Sequence, residues 1–228
     1  MVAQDEDVVA ALAALERFAS SADLTSRIAD LEYGLRGAEG PAIAQALAQE
    51  GVEERMLAGA LVVKRLAGQV NVAVHSLGIL LALPMILQEG EVVEELSLGA
   101  GNTGRSFDLA TNLRIAEFKF IAWKGGAEAI RQNSLFVDLY HLAETNTDRR
   151  RELYVTNLVH PTRFLQGRRA LRSVLSKHGT VAEEFFAQYG DRYVVVRDYW
   201  DDVKDRVALI DVSKFVPAFS KMPIESDE

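Results

Sequence analysis

The chain has 228 residues, of which 49% are hydrophobic and 25% charged, with no cysteine and a net charge of −8. That composition is a soluble globular protein long enough to bury a core without staples, as one domain or a core with an appendage. The absence of cysteine excludes disulfides and thiolate metal sites and suits a reducing cytoplasm, and the acidic balance argues against a general nucleic-acid binder.

The charge is unevenly spread. Residues 1–100 hold 6 basic and 15 acidic side chains, 101–180 hold 13 and 7, and 181–228 hold 6 and 11. Any phosphate-binding surface therefore belongs to the middle of the chain. No basic segment followed by an apolar one opens the sequence, so no signal peptide is expected.

Val8–Phe18 is Ala-rich with helical apolar spacing. Thr25 or Ser26 caps a second helix running to about Leu35, and Gly37 and Gly40-Pro41 break it. Ala42–Gln49 is a third. These helices carry no chemical motif; a cap on a sheet or a contact between copies of the chain are the roles that fit. Residues 1–51 read as a helical extension and 52–228 as the core. Val52–Leu66 is a stronger helix, with Glu53 and Glu54 favourable at its positive end. Leu66–Leu87 carries no charge over 22 residues, long enough to span a bilayer, but it holds Gln69, Asn71, His75, Ser76 and Pro84. It is expected to be a buried helix stopped by Pro84, with no membrane partner.

Glu91–Leu98 reads as a strand. Gly99–Ser106 then nearly matches a phosphate-binding P-loop, with Arg105 where that motif has lysine. A P-loop must be followed by a helix, and Phe107–Asn112 reads as strand and turn. A glycine-rich hairpin connection explains the segment more simply. A nucleotide-binding enzyme built on it stays the weaker alternative.

Ser106–Ala110 and Ile115–Ile121 read as two strands joined through Thr111–Arg114. Glu117 and Lys119 are two apart and share a face. With Asn112–Leu113 as the loop, Asp108 lies directly opposite Glu117, with Cβ atoms roughly 5 Å apart. Like charges so placed repel, and a divalent cation would offset the cost; oxygen ligands suit Mg2+ or Mn2+. The plainer alternative is an exposed face where Lys119 neutralises Glu117.

Ala127–Glu144 is an amphipathic helix with Gln132, Phe136 and Tyr140 on one stripe. Arg149, Arg150 and Arg151 precede a strand over Glu152–Asn157. Arg163, Arg168, Arg169 and Arg172 decorate the next helical segment. Together with Arg105 these arginines form a candidate phosphate-contacting surface, the alternative being a solvated helix face. Val181–Tyr189 is a helix, and Tyr193–Arg197 and Val207–Asp211 read as late strands. His75, His141, His160 and His178 show no ligand spacing and read as structural.

Asp108 followed by Glu117-Phe118-Lys119 resembles the signature of the PD-(D/E)xK nuclease superfamily, over roughly residues 93–157. Gln132 matches the start of that superfamily's Gln-x-x-x-Tyr helix motif, although Phe136 stands in the tyrosine position. The resemblance implies a restriction-endonuclease-like α/β fold, a mixed central sheet flanked by helices. It implies a Mg2+-dependent hydrolase cleaving phosphodiester bonds in DNA. Asp108 and Glu117 would hold the metal, Lys119 would act on water and transition state, and Gln132 would orient substrate or ligand. It also suggests an acid on a helix before the sheet, for which Glu53 and Glu54 are available. The competing reading is an inactive, nuclease-derived binding or assembly protein.

Overall fold

A computed structural model describes residues 2–19, 24–99, 106–120 and 128–221. The chain divides into two compact units, residues 1–71 and 72–228. The first contains α1 (Val2–Ala19), α2 (Leu24–Leu35), α3 (Gly40–Gln49) and the start of α4 (Glu54–Ile86). Within it, Arg27 stacks over Phe18 at 4.7 Å and lies 3.7 Å from Glu50, joining the ends of three helices.

The second unit is α/β. Its strands are β1 (Val93–Leu96), β2 (Leu109–Thr111), β3 (Arg114–Lys119), β4 (Arg150–Val155) and β5 (Val207–Asp211), hydrogen-bonded in that order. The first three form an antiparallel run, and β3, β4 and β5 are parallel. Parallel neighbours require crossovers. The first is α5 (Ala129–Glu144). The second carries α6 (Val159–Leu165), α7 (Leu171–Val174), α8 (Gly179–Tyr189) and α9 (Val196–Val203).

Period-two alternation splits the core across the sheet. Ile115, Leu153 and Val155 face α5, α8 and α9, whereas Ala116, Phe118 and Tyr154 face α4 with Ile79, Ala82 and Ile86. The expected Asn112–Leu113 loop is present, and the register Leu109↔Ala116, Ala110↔Ile115 extends to Asp108 opposite Glu117. The strand itself begins at Leu109, not Ser106. Trp123 and the rest of 121–127 lie outside the described residues.

Three expected elements differ. Pro84 does not stop α4, which runs on to Ile86. A proline forfeits only one helical bond, and the burial of Ala82 and Ile86 holds the final turn against the sheet. Tyr193–Arg197 is not a strand. The Val194 and Val195 amides donate to Asp198 Oδ2, which starts α9 at Val196. Arg150 and Arg151 lie within β4 rather than ahead of it.

A buried arginine ties the sheet to α4. Arg114 is 3% exposed and forms two bonds with Glu91, Nε–Oε1 and Nη2–Oε2, both 2.6 Å. Its Nη1 donates to Glu152 Oε2 at 2.7 Å and to Tyr154 Oη at 3.0 Å. Its Nη2 also donates to the Ile86 carbonyl at 2.8 Å, satisfying an orphan acceptor at the end of α4. Burial opposes charge on Glu91, but hydrogen bonds from Arg114, Thr111 and the Gln88 amide hold its carboxyl down at about 2. Arg114→Ala leaves two buried carboxylates unpaired, so it should cost about 3–5 kcal/mol in urea unfolding. A loss below about 1 kcal/mol would show that the network is incidental.

Candidate active site

Asp108 precedes β2 by one residue, where its side chain can be approached from both faces of the sheet. Its Oδ2 accepts the Phe118 amide at 3.0 Å, and its Oδ1 lies 3.3 Å from His75 Nε2 on α4. Glu117 projects from β3 on the same side and hydrogen-bonds Asp108 directly. Lys119, two residues on, places Nζ 2.7 Å from Asp138 Oδ2 on α5. Five polar side chains from four segments thus meet at the C-terminal end of β3. His75, Asp108, Lys119 and Asp138 are between 15% and 25% exposed.

The electrostatics follow from burial among acids. Burial, the charges of Asp138 and Asp108, and the Asp108 hydrogen bond push Glu117 up to about 10, with Lys119 acting against them. Burial also opposes ionisation of Asp108, yet the His75 hydrogen bond, the Phe118 amide and the Glu117 hydrogen bond hold it below its ordinary value. Near neutral pH the pair therefore shares one proton, carried on Glu117. Burial raises Asp138, countered by Lys119; Lys119 itself is raised because Asp138 and the neighbouring acids outweigh its burial. Among the described residues, no group of three or more His, Asp or Glu is arranged to hold a metal ion.

The other candidates divide. Gln132 lies on α5 about 120° around the helix from Asp138 and accepts a hydrogen bond from Arg169 Nη1 at 2.5 Å. It does not join the carboxylates. Phe136 and Tyr140, on its stripe, are core. Arg105 lies outside the described residues, as does Gly99–Ser106 apart from its two ends. A strand and not a helix follows Asp108, against a P-loop. Arg149, Arg150 and Arg151 are corrected. Parallel pairing sets Arg150 beside Arg114 and Val155 beside Lys119, so these arginines lie at the opposite end of β3, roughly 16 Å away by strand rise. There Arg149 pairs with Glu94 at 2.8 Å, Arg150 approaches Glu91 and Glu152, and Arg151 donates to the Thr145 and Thr147 carbonyls. Arg172 is engaged by Asp191 at 2.9 Å and stacks on Phe186, and Arg168 acts on Asp198. Arg163 is exposed on α6, which begins four residues beyond Val155, at the Lys119 end of the sheet. Lys119, Arg131, Asn157 and Pro161 line one small cavity there.

Sequence reading missed His75 and Asp138. His75 was visible as an imidazole inside an uncharged helix, and Asp138 as an acid on the Leu135–Leu142 apolar stripe. Glu53, the acid looked for on the preceding helix, pairs with Arg55 at 2.6 Å. No family model matches this chain, and no curated protein or solved structure does either.

The raised Glu117 makes a signed prediction. The folded protein keeps that proton to about pH 10, whereas the unfolded chain releases it near the ordinary carboxylate value. Between those values the unfolded state binds fewer protons, so this group's contribution to stability falls as pH rises. Glu117→Gln removes the penalty. Its melting temperature should exceed wild type at pH 8 and the gap should shrink towards pH 5; a gap independent of pH would refute the shared-proton state.

Proposed function

We propose that this chain is a Mg2+- or Mn2+-dependent nuclease with a restriction-endonuclease-like core, hydrolysing phosphodiester bonds in DNA. The observation that carries the reading is the direct contact of Asp108 and Glu117, with Lys119 on the same side of β3. An aspartate at the start of one strand, Glu-x-Lys on the next and a helix after it support the fold assignment.

The residues fit a hard cation. Two carboxylates held together by one proton offer the same oxygens to a divalent ion, at the cost of releasing that proton. Mg2+ commonly takes only one or two carboxylates, the rest of its shell being water and substrate phosphate, so a third protein ligand is not required. Asp108 and Glu117 would hold the ion, which when bound supplies Lewis-acid charge at the scissile phosphate. His75 and the Phe118 amide fix the orientation of Asp108. Lys119 would stabilise charge developing on the phosphate oxygens, and Asp138 steadies its ammonium. Arg163 and Arg169 are the arginines at this end of the sheet available for backbone contacts.

The alternative is a nuclease-derived binding protein without turnover. It draws on the mutual satisfaction of the acids, Asp108 with Glu117 and Lys119 with Asp138. Thermal melts separate the two. Mg2+ should raise the melting temperature of wild type and of Lys119→Ala, but not of Glu117→Gln, while Lys119→Ala should cut DNA about 10²–10³-fold more slowly. Equal Mg2+ shifts in wild type and Glu117→Gln, with no cleavage by any of the three, would leave the binding protein.

The arginine assignment has its own test. Arg169→Ala should weaken DNA binding and lower the slope of log affinity against log salt by about 1, and Arg149→Ala should change neither. The reverse pattern would place the phosphate surface at the other end of β3.

A further inference from the structure

In the unit 72–228, α4 buries Ile79, Ala82 and Ile86 against the sheet and leaves Leu77, Leu80, Leu81 and Met85 between 45% and 61% exposed. The exposed set continues a spacing that starts upstream on the same helix. Val63, Leu66, Val70, Ala73, Leu77 and Leu80 follow one another at intervals of three and four, and all six are exposed. Alternating three- and four-residue steps are the seam of a coiled coil, a pattern that fits the side chains of another helix.

We propose that this seam pairs two copies of the chain, α4 lying antiparallel against α4 of the second copy. Three features select that occupant. The seam is self-complementary: an antiparallel copy sets Val63 against Leu80, Leu66 against Leu77 and Val70 against Ala73, each contact occurring twice about a two-fold axis. Its flanks are uncharged, with Ala67 and Val74 on one side and Gln69 and Ser76 on the other, so two chains of net charge −8 meet no like charges there. The exposed apolar surface, with Leu81 and Met85 beside the seam, is on the order of the roughly 800 Å² that each partner gives a standard interface.

Lipid fits less well, although Leu66–Ile86 is long and apolar enough to cross a membrane. The opposite face of that helix is taken by protein. Ser76 donates to the Leu98 carbonyl, His75 meets Asp108, and Ile79 packs under Phe118. A helix so engaged cannot be ringed by acyl chains.

The full-length protein tests this by light scattering after gel filtration. The expected mass is twice 25.1 kDa. Leu66→Glu with Leu77→Glu should return the monomer mass while keeping the wild-type circular dichroism. Because the chain has no cysteine, Val70→Cys and Ala73→Cys proteins can be mixed and mildly oxidised. A disulfide joining the two variants is expected, with little in either alone. A monomer at all concentrations up to about 100 μM, a dimer that survives the glutamate pair, or no mixed disulfide overturns the proposal. So does a monomer that floats with phosphatidylcholine vesicles, which would assign the face to lipid.

Discussion

Arg114 is the one buried charge around which the second unit closes. It sits on β3, the third of five strands, and its guanidinium reaches the loop before β1, the neighbouring strand β4 and the last carbonyl of α4. Burial opposes its charge, and the Glu91 and Glu152 carboxylates more than offset that. Only a group with five donors in a rigid fork can serve two carboxylates, a phenol and a carbonyl together. Fixing Ile86 to the sheet fixes the path of α4, and with it the position of His75 three turns earlier. The contact between His75 and Asp108 therefore depends on a network at the other end of the strands.

The carboxylates at the C-terminal end of β3 show the opposite economy. Asp108, Glu117 and Asp138 crowd one side of the sheet, and the crowding raises Glu117 far enough to keep it protonated. A fold selected for stability alone would place an amide or an apolar side chain at residue 117. Retaining an acid where its ionisation is unfavourable is the mark of a position kept for chemistry, in the sense that strained and repulsive groups concentrate at functional sites.

The hairpin part of this site was legible because strands have a period of two and a two-residue loop admits one register. Asp108 opposite Glu117 follows from those rules alone. What the rules could not supply was anything set by packing between distant elements. His75 reaches Asp108 only because α4 lies across the sheet, and Asp138 meets Lys119 only because the crossover returns α5 over β3. Direction was the second gap. Arg149–Arg151 looked like neighbours of the site, being close in sequence to its helix, but parallel pairing of β3 and β4 carries them to the opposite end. Tyr193–Arg197 misled for a local reason: three consecutive valines favour a strand, and one carboxylate, Asp198, accepting two backbone amides, turned the chain into a helix instead.

The two ends of β3 differ in what neutralises them, and that difference separates scaffold from site. At the Arg114 end the neutralising group is a guanidinium, which does not lose its proton in any ordinary solution. It is donor to fixed acceptors and has no exchangeable state. At the Glu117 end neutrality comes from a proton on a carboxyl and from a lysine ammonium on a flexible stem. Both can be displaced, the proton by a cation that binds the same oxygens and the ammonium by an anionic phosphate that competes with Asp138. One strand thus carries a permanent charge clamp and, five residues on, a replaceable one. A binding event at the second can change its charge without disturbing the first, because the clamp's partners, Glu91, Glu152 and Tyr154, make no hydrogen bond or ion pair with Asp108, Glu117, Lys119 or Asp138 among the described residues.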